Sequence, residues 1–110
     1  MMDVQQDKYL HLHLLFDNLA PDTFALQISG DSMIDEGIYE GDFVLIDKHK
    51  FAKNGDIVAA CIDNEWTVKT LRKEEEGFVL VPGNKKYPVI HPKESLTIGG
   101  VVVHVIRNYR

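Results

Sequence analysis

The segment Phe24-Ala25-Leu26-Gln27-Ile28-Ser29-Gly30-Asp31-Ser32-Met33 decides how this chain is read. Its first half has the two-residue alternation of a strand, and Gly30 permits a turn that a residue carrying a Cβ would resist. A serine just past a strand end, on a glycine turn, is placed to be exposed. Further along, Trp66-Thr67-Val68-Lys69-Thr70-Leu71 is a second strand-like run, in which the same period puts Lys69 on one side with Thr67 and Leu71. The amine then faces a partly apolar surface, where desolvation disfavours the charged form. A neutral lysine within hydrogen-bond reach of Ser32 accepts the hydroxyl proton and makes the nucleophile of acyl transfer, with no histidine or aspartate required. Residue type alone does not establish the pairing, because Gly-Asp-Ser turns are common and strand lysines usually carry their ammonium out to water.

Around these two segments the composition sets bounds. At 110 residues the chain is one domain, and its 45% hydrophobic and 26% charged residues are ordinary for a globular protein. A formal net charge of -5 argues against this segment gripping a phosphate backbone, which requires a clustered excess of Lys and Arg. DNA contact is therefore expected only through a further domain. Cys61 is the only cysteine, so an internal disulfide and a thiolate metal cluster are excluded, and its apolar setting reads as small core. No apolar run reaches the length of a membrane span and no signal peptide is evident, so the expected compartment is the cytoplasm, with no membrane partner.

Met1 to Leu15 reads as an arm, with the leucines and histidines of Leu10-His11-Leu12-His13-Leu14 alternating at a strand period. No carboxylate or cysteine is spaced to join His11 and His13 in a metal site, and neither metal nor cofactor is expected. Asp17 to Asp22 is a loop, followed by the strand Phe24 to Ile28. Met33 to Glu36 suits one helical turn ending at Gly37; Asp31 could cap it, which would set free amides beside the Ser32 hydroxyl. Met33 fits either the cleft wall or a core gap. Phe43 to Ile46 reads as a strand buried on both faces, and Lys48 to Ala52 as a basic, exposed connection. Ile57 to Ile62 and Trp66 to Leu71 form a hairpin around a three-residue loop, Asp63-Asn64-Glu65. Arg72 to Gly77 reads as a solvated charged turn before the strand Phe78 to Val81, and His91 as a surface loop residue. Leu96 to Ile106 is a long closing strand, kinked or bulged at Gly99-Gly100, whose His104 suits a core or interface position. Short strands with turns every eight to twelve residues indicate an all-β fold, a single barrel-like or sandwich domain of mostly antiparallel strands.

The ordered array Ser29-Gly30-Asp31-Ser32-Met33, Gly37-Ile38, Gly41-Asp42, Asn54-Gly55-Asp56-Ile57-Val58 and Thr67-Val68-Lys69, with Lys69 37 positions after Ser32, closely resembles the Ser/Lys self-cleaving domain of LexA-type repressors, phage repressors and UmuD mutagenesis proteins. The match runs from about Phe24 to Arg107, and the connection through Tyr87-Pro88 resembles the family's proline, asparagine and tyrosine loop. The resemblance implies Ser32 as nucleophile, Lys69 as general base, and the backbone amides of Asp31 and Ser32 as oxyanion hole. It implies a domain over residues 24–110 preceded by an arm over 1–23, a homodimer, and cleavage of an Ala-Gly or Cys-Gly bond in the same polypeptide, stimulated by a RecA filament on single-stranded DNA in the SOS response to DNA damage. Neither dipeptide occurs ahead of Ser32, so the scissile bond and any DNA-binding domain are expected outside this chain.

Two readings follow from the resemblance. One is the peptidase domain of a LexA-like or phage-like repressor. The other is a UmuD-prime-like processed subunit, partner of an error-prone translesion polymerase, to which Ser-Gly-Asp-Ser-Met-Ile-Asp and Gly-Val-Val-Val-His-Val-Ile bear the greater likeness. A third reading, an esterase of the Gly-Asp-Ser-Leu type, fails because those enzymes need helices and a downstream Asp-x-x-His pair that this chain lacks. Signal peptidases share the Ser/Lys chemistry, but this chain shows no membrane anchor.

Overall fold

Asp63 and Asn64 both adopt left-handed backbone, with φ of 48° and 71°, and fold the chain sharply back on itself. Such a two-residue turn matches the twist of the strands it joins. The computed structural model describes residues 4–6 and 19–109. In it the hairpin loop is shorter than the expected three residues, because Glu65 already pairs with Ile62. The strands are β1 (Val4–Gln6), β2 (Phe24–Ile28), β3 (Phe43–Asp47), β4 (Ile57–Ile62), β5 (Glu65–Glu74), β6 (Gly77–Val81) and β7 (Leu96–Ile106). They form one sheet in the order β1-β2-β3-β7-β4-β5-β6, with every pairing antiparallel. A single turn of 3-10 helix, Ile34–Glu36, ends at Gly37 in the left-handed conformation, as the sequence suggests. The all-β expectation therefore holds.

The last strand splices the sheet together. Its first half pairs with β4 and its second half with β3, and Val101 lies opposite both Val58 and Asp47. The bulge expected at the glycines is present: Gly100 faces Ala59 and Ile98 faces Ala60, leaving Gly99 as the extra residue. The Trp66 ring lies so near Gly99 that a Cβ there would come within 2.6 Å of it. A second bulge, between Val102 and His104, has no glycine to announce it.

The sheet curls, because residues from its distant strands share one core. Val4, Leu26, Ile28, Val44 and Ile46 pack with Ala59 and Val68, and Met33 and Ile38 fill the same cluster. Val58, Ala60 and Ile62 point the other way, into a second cluster with Leu71, Leu80 and Val101. β4 is thus buried on both faces, as is β3, which explains their continuous apolar sequences. Met33 is 2% exposed, which makes it core rather than cleft wall.

Several local expectations change. Cys61 is only half-buried, since the alternation that buries Ala60 and Ile62 turns it to the opposite face. The charged run Arg72 to Gly77 is mostly strand: β5 continues to Glu74 and the turn is confined to Glu75-Glu76. Its side chains are exposed, so pairing costs them no hydration. His104 is exposed rather than in the core. The alternating segment Leu10 to Leu14, with His11 and His13, lies outside the described residues.

Beyond β7, Arg107 is tied to the loop that follows the Ser32 turn. Its Nε donates to Asp42 Oδ1 at 2.8 Å and its second guanidinium nitrogen to Asp42 Oδ2 at 2.9 Å and to the Gly37 carbonyl at 2.9 Å. The guanidinium stacks 4.6 Å from the Tyr39 ring centroid. Asp42 is 1% exposed and also accepts from the Tyr39 amide at 2.7 Å. Hydrogen bonding to Arg107, against the desolvation that opposes it, holds the Asp42 carboxyl below the usual carboxylate range. A carboxyl depressed in the folded state adds stability above its unfolded pKa, and that stability is lost as pH falls through the folded value. We expect Arg107→Ala to lower stability near neutral pH, because it leaves the buried Asp42 carboxylate without its charged partner. Urea unfolding followed from pH 7 towards pH 3 should show the gap between wild type and variant narrowing as Asp42 is protonated.

Candidate active site

The turn after β2 and the middle of β5 are 37 residues apart in sequence and meet in space. Gly30 takes φ of 91° and its amide is held by Glu40 Oε1 at 3.1 Å, which sends the chain away from the strand and sets Ser32 at the turn. On β5 the pleat puts Thr67, Lys69 and Leu71 on one face, and these three are 6%, 4% and 2% exposed. The Lys69 Nζ lies 3.0 Å from Ser32 Oγ, 2.6 Å from Thr67 Oγ1 and 3.1 Å from the Val68 carbonyl oxygen. The side chain is almost wholly enclosed and its tip is surrounded by oxygens. Pairing of Lys69 with Val58, itself wholly buried, makes β5 a rigid mount for the amine.

Ser32 and Lys69 open onto a cleft of about 550 Å³. Its walls are mainly apolar, with Ile62, Pro82, Pro88 and Ile90 contributing, and Asp31 also lines it. Among the described residues no group of His, Cys, Asp or Glu is arranged to hold a metal ion.

The loop that follows β6 clasps the turn that carries Ser32, a contact the sequence does not announce. The Gly83 amide donates to Met33 Sδ at 3.2 Å and its carbonyl accepts from the Asp35 amide at 2.7 Å. A Cβ at Gly83 would approach Met33 Cα to 3.1 Å, so the two backbones can meet this closely only at glycine. Asn84 Nδ2 donates to the Asp31 carbonyl at 2.9 Å. The Asp31 carboxylate accepts from the Tyr87 hydroxyl at 2.5 Å and from Lys86 Nζ at 3.2 Å. Asp31 therefore does not cap the helical turn. The residue at the cap is Met33, two positions further on, and it makes no side-chain capping bond. The phenol and the ammonium bind the carboxylate instead. The Tyr87 bond, then that of Lys86, holds the Asp31 carboxyl below its ordinary range, and the same contact raises the Tyr87 phenol.

Comparison with known proteins shows the family of the chain. Residues 2–103 match the family model described as Peptidase S24-like. The chain is 47% identical over 89 residues to a LexA repressor of Clostridium novyi, an alignment covering 80% of this chain and 44% of that protein. It is 42% identical over 87 residues to a LexA repressor of Alcanivorax borkumensis, covering 78% and 43% respectively. A LexA repressor of Clostridium acetobutylicum is 40% identical over 104 residues, covering 94% of this chain and 50% of that protein. The chain thus spans about half the length of these relatives, or less.

The bond between Tyr87 and Asp31 has a direct signature in titration. Tyr87→Phe removes the hydroxyl and keeps the ring, so the Asp31 carboxyl should titrate at higher pH than in the wild type. Carbon-detected nuclear magnetic resonance of the Asp31 side chain checks it, and an unchanged midpoint would contradict the contact.

Proposed function

The chain belongs to the Peptidase S24-like family, and from that premise we propose that it is the self-cleaving peptidase domain of a LexA-like repressor, with Ser32 as nucleophile and Lys69 as general base. The observation that carries the reading is the 3.0 Å approach of the two side chains with Lys69 only 4% exposed. A base must be within hydrogen-bond reach of the proton it takes, and this one is. In the neutral amine two N–H bonds point to Thr67 Oγ1 and the Val68 carbonyl, at 2.6 and 3.1 Å, which directs the lone pair to Ser32.

The steps follow from that geometry. Lys69 Nζ takes the Ser32 proton as Oγ attacks the scissile carbonyl carbon. The carbonyl oxygen becomes an oxyanion, held by the backbone amides of Asp31 and Ser32. The resulting Lys69 ammonium returns its proton to the leaving amine as the carbon-nitrogen bond breaks, and an acyl-Ser32 ester remains. Lys69 then deprotonates a water that hydrolyses the ester and frees the serine.

The substrate is an extended segment with an Ala-Gly or Cys-Gly junction. Neither dipeptide occurs in the 110 residues, so the bond belongs to polypeptide outside them. In the cell a RecA filament on single-stranded DNA stimulates the cut, a homodimer is the working form, and a separate domain makes the DNA contact. The relatives above, each named a LexA repressor, favour this reading over that of a polymerase accessory subunit.

Ser32→Ala and Lys69→Ala should each abolish cleavage, in trans, of a synthetic peptide carrying an Ala-Gly junction, with the circular dichroism of the fold retained. Cleavage by either folded variant would refute the assignment. For the wild type, product formation measured by chromatography should accelerate with rising pH, as general-base catalysis requires, and a rate independent of pH would count against the mechanism.

A further inference from the structure

We infer that Asn84 is a positioning residue for the oxyanion site, acting through the peptide unit that joins Asp31 to Ser32. The inference rests on the reading of Ser32 as nucleophile given above. That peptide unit has the Asp31 carbonyl at one end and the Ser32 N–H at the other, and it is planar and trans. Whatever fixes the carbonyl therefore fixes the direction of the N–H. Asn84 Nδ2 donates to this carbonyl at 2.9 Å from a residue 53 positions away in sequence.

The asparagine is itself held in one orientation. Its Oδ1 accepts from the Lys86 amide at 3.0 Å, which identifies the oxygen end of the side chain and leaves the NH2 end for Asp31. The Asn84 carbonyl accepts from the Tyr87 amide at 3.1 Å, closing a turn around the residue. Gly83, pressed against Met33, brings this turn up to the nucleophile segment. Tyr87 and Lys86 grip the Asp31 carboxylate, but a side chain can rotate about its own bonds without turning the backbone. Asn84 is the member of the loop whose side chain bonds to the backbone of that peptide unit. Donation to a carbonyl also polarises the amide and strengthens its N–H as a donor.

Oxyanion donors act by being aimed in advance at charge that appears in the transition state, so a tilted amide lowers kcat and leaves substrate binding nearly unchanged. The Asn84→Asp variant keeps an oxygen for the Lys86 amide and removes the donor to Asp31. The Asn84→Ser variant also offers the Lys86 amide an acceptor, is uncharged, and is too short to reach the Asp31 carbonyl. With an Ala-Gly junction peptide as substrate, each variant should lose roughly 10–100-fold in kcat, with KM within about twofold of wild type. The pH dependence of the rate should keep its shape. A peptidyl boronic acid ending in alanine, which forms a tetrahedral adduct on the serine, should weaken in step with kcat/KM. Thermal unfolding identifies which variants are folded, and either folded variant suffices. Wild-type kcat in a folded Asn84→Ser or Asn84→Asp protein would overturn the inference, as would a loss confined to KM. Ser32→Ala run beside them separates the two assignments: if it is inactive while the Asn84 variants are not, only the role of Asn84 fails, and if it still cleaves, the nucleophile assignment itself falls.

Discussion

An amine enclosed by a β-sheet and touching a hydroxyl at a turn is the constraint around which this molecule is arranged. Lys69 is 4% exposed and its tip meets Ser32, Thr67 and the Val68 carbonyl. A lysine seldom stays so far from water, because its flexible stem usually lets the charged end escape. Here the escape is blocked by pairing: β5 lies between β4 and β6, and Val68 is locked into the core beside Met33. The sheet thereby supplies the position and the enclosure of the amine together.

Ser32 needs a different kind of support, because a turn has no ladder to hold it. Two tethers provide it. The loop through Gly83, Asn84 and Tyr87 binds the Met33 sulfur, the Asp31 carbonyl and the Asp31 carboxylate. Arg107, just past the longest strand, holds Asp42 and the Gly37 carbonyl. The first tether comes from the end of β6 and the second from the end of β7, so the turn is braced by strands on either side of β5 and β4. This dispersal of supports explains how Ser32, outside any strand, is held in one place beside Lys69.

The fold also shows why the chain's most acidic and most basic stretches take no part in the site. Glu74, Glu75 and Glu76 sit at the far tip of the β5-β6 hairpin, and Lys48 and Lys50 on an exposed connection after β3. None of them lines the cleft at Ser32 and Lys69, whose walls are mainly apolar.

By itself the sequence determined β2 to β7 in outline and the helical turn, though not the short β1, and it pointed to Ser32 and Lys69 as a pair. Alternation in Phe24–Ile28 and Trp66–Leu71 is a local property, and the continuous apolar runs of Phe43–Ile46 and Ile57–Ile62 already required burial on both faces. What only the tertiary structure decided was how segments far apart in sequence meet. The second bulge in β7, the short hairpin turn at Asp63-Asn64 and the strand character of Arg72–Glu74 depend on register with a partner strand. The partners of Asp31 depend on a loop more than fifty residues downstream, which outcompetes the local capping role that the sequence suggests. Periodicity reports which way a side chain faces, whereas a hydrogen bond between distant segments exists only once the sheet has brought their backbones together.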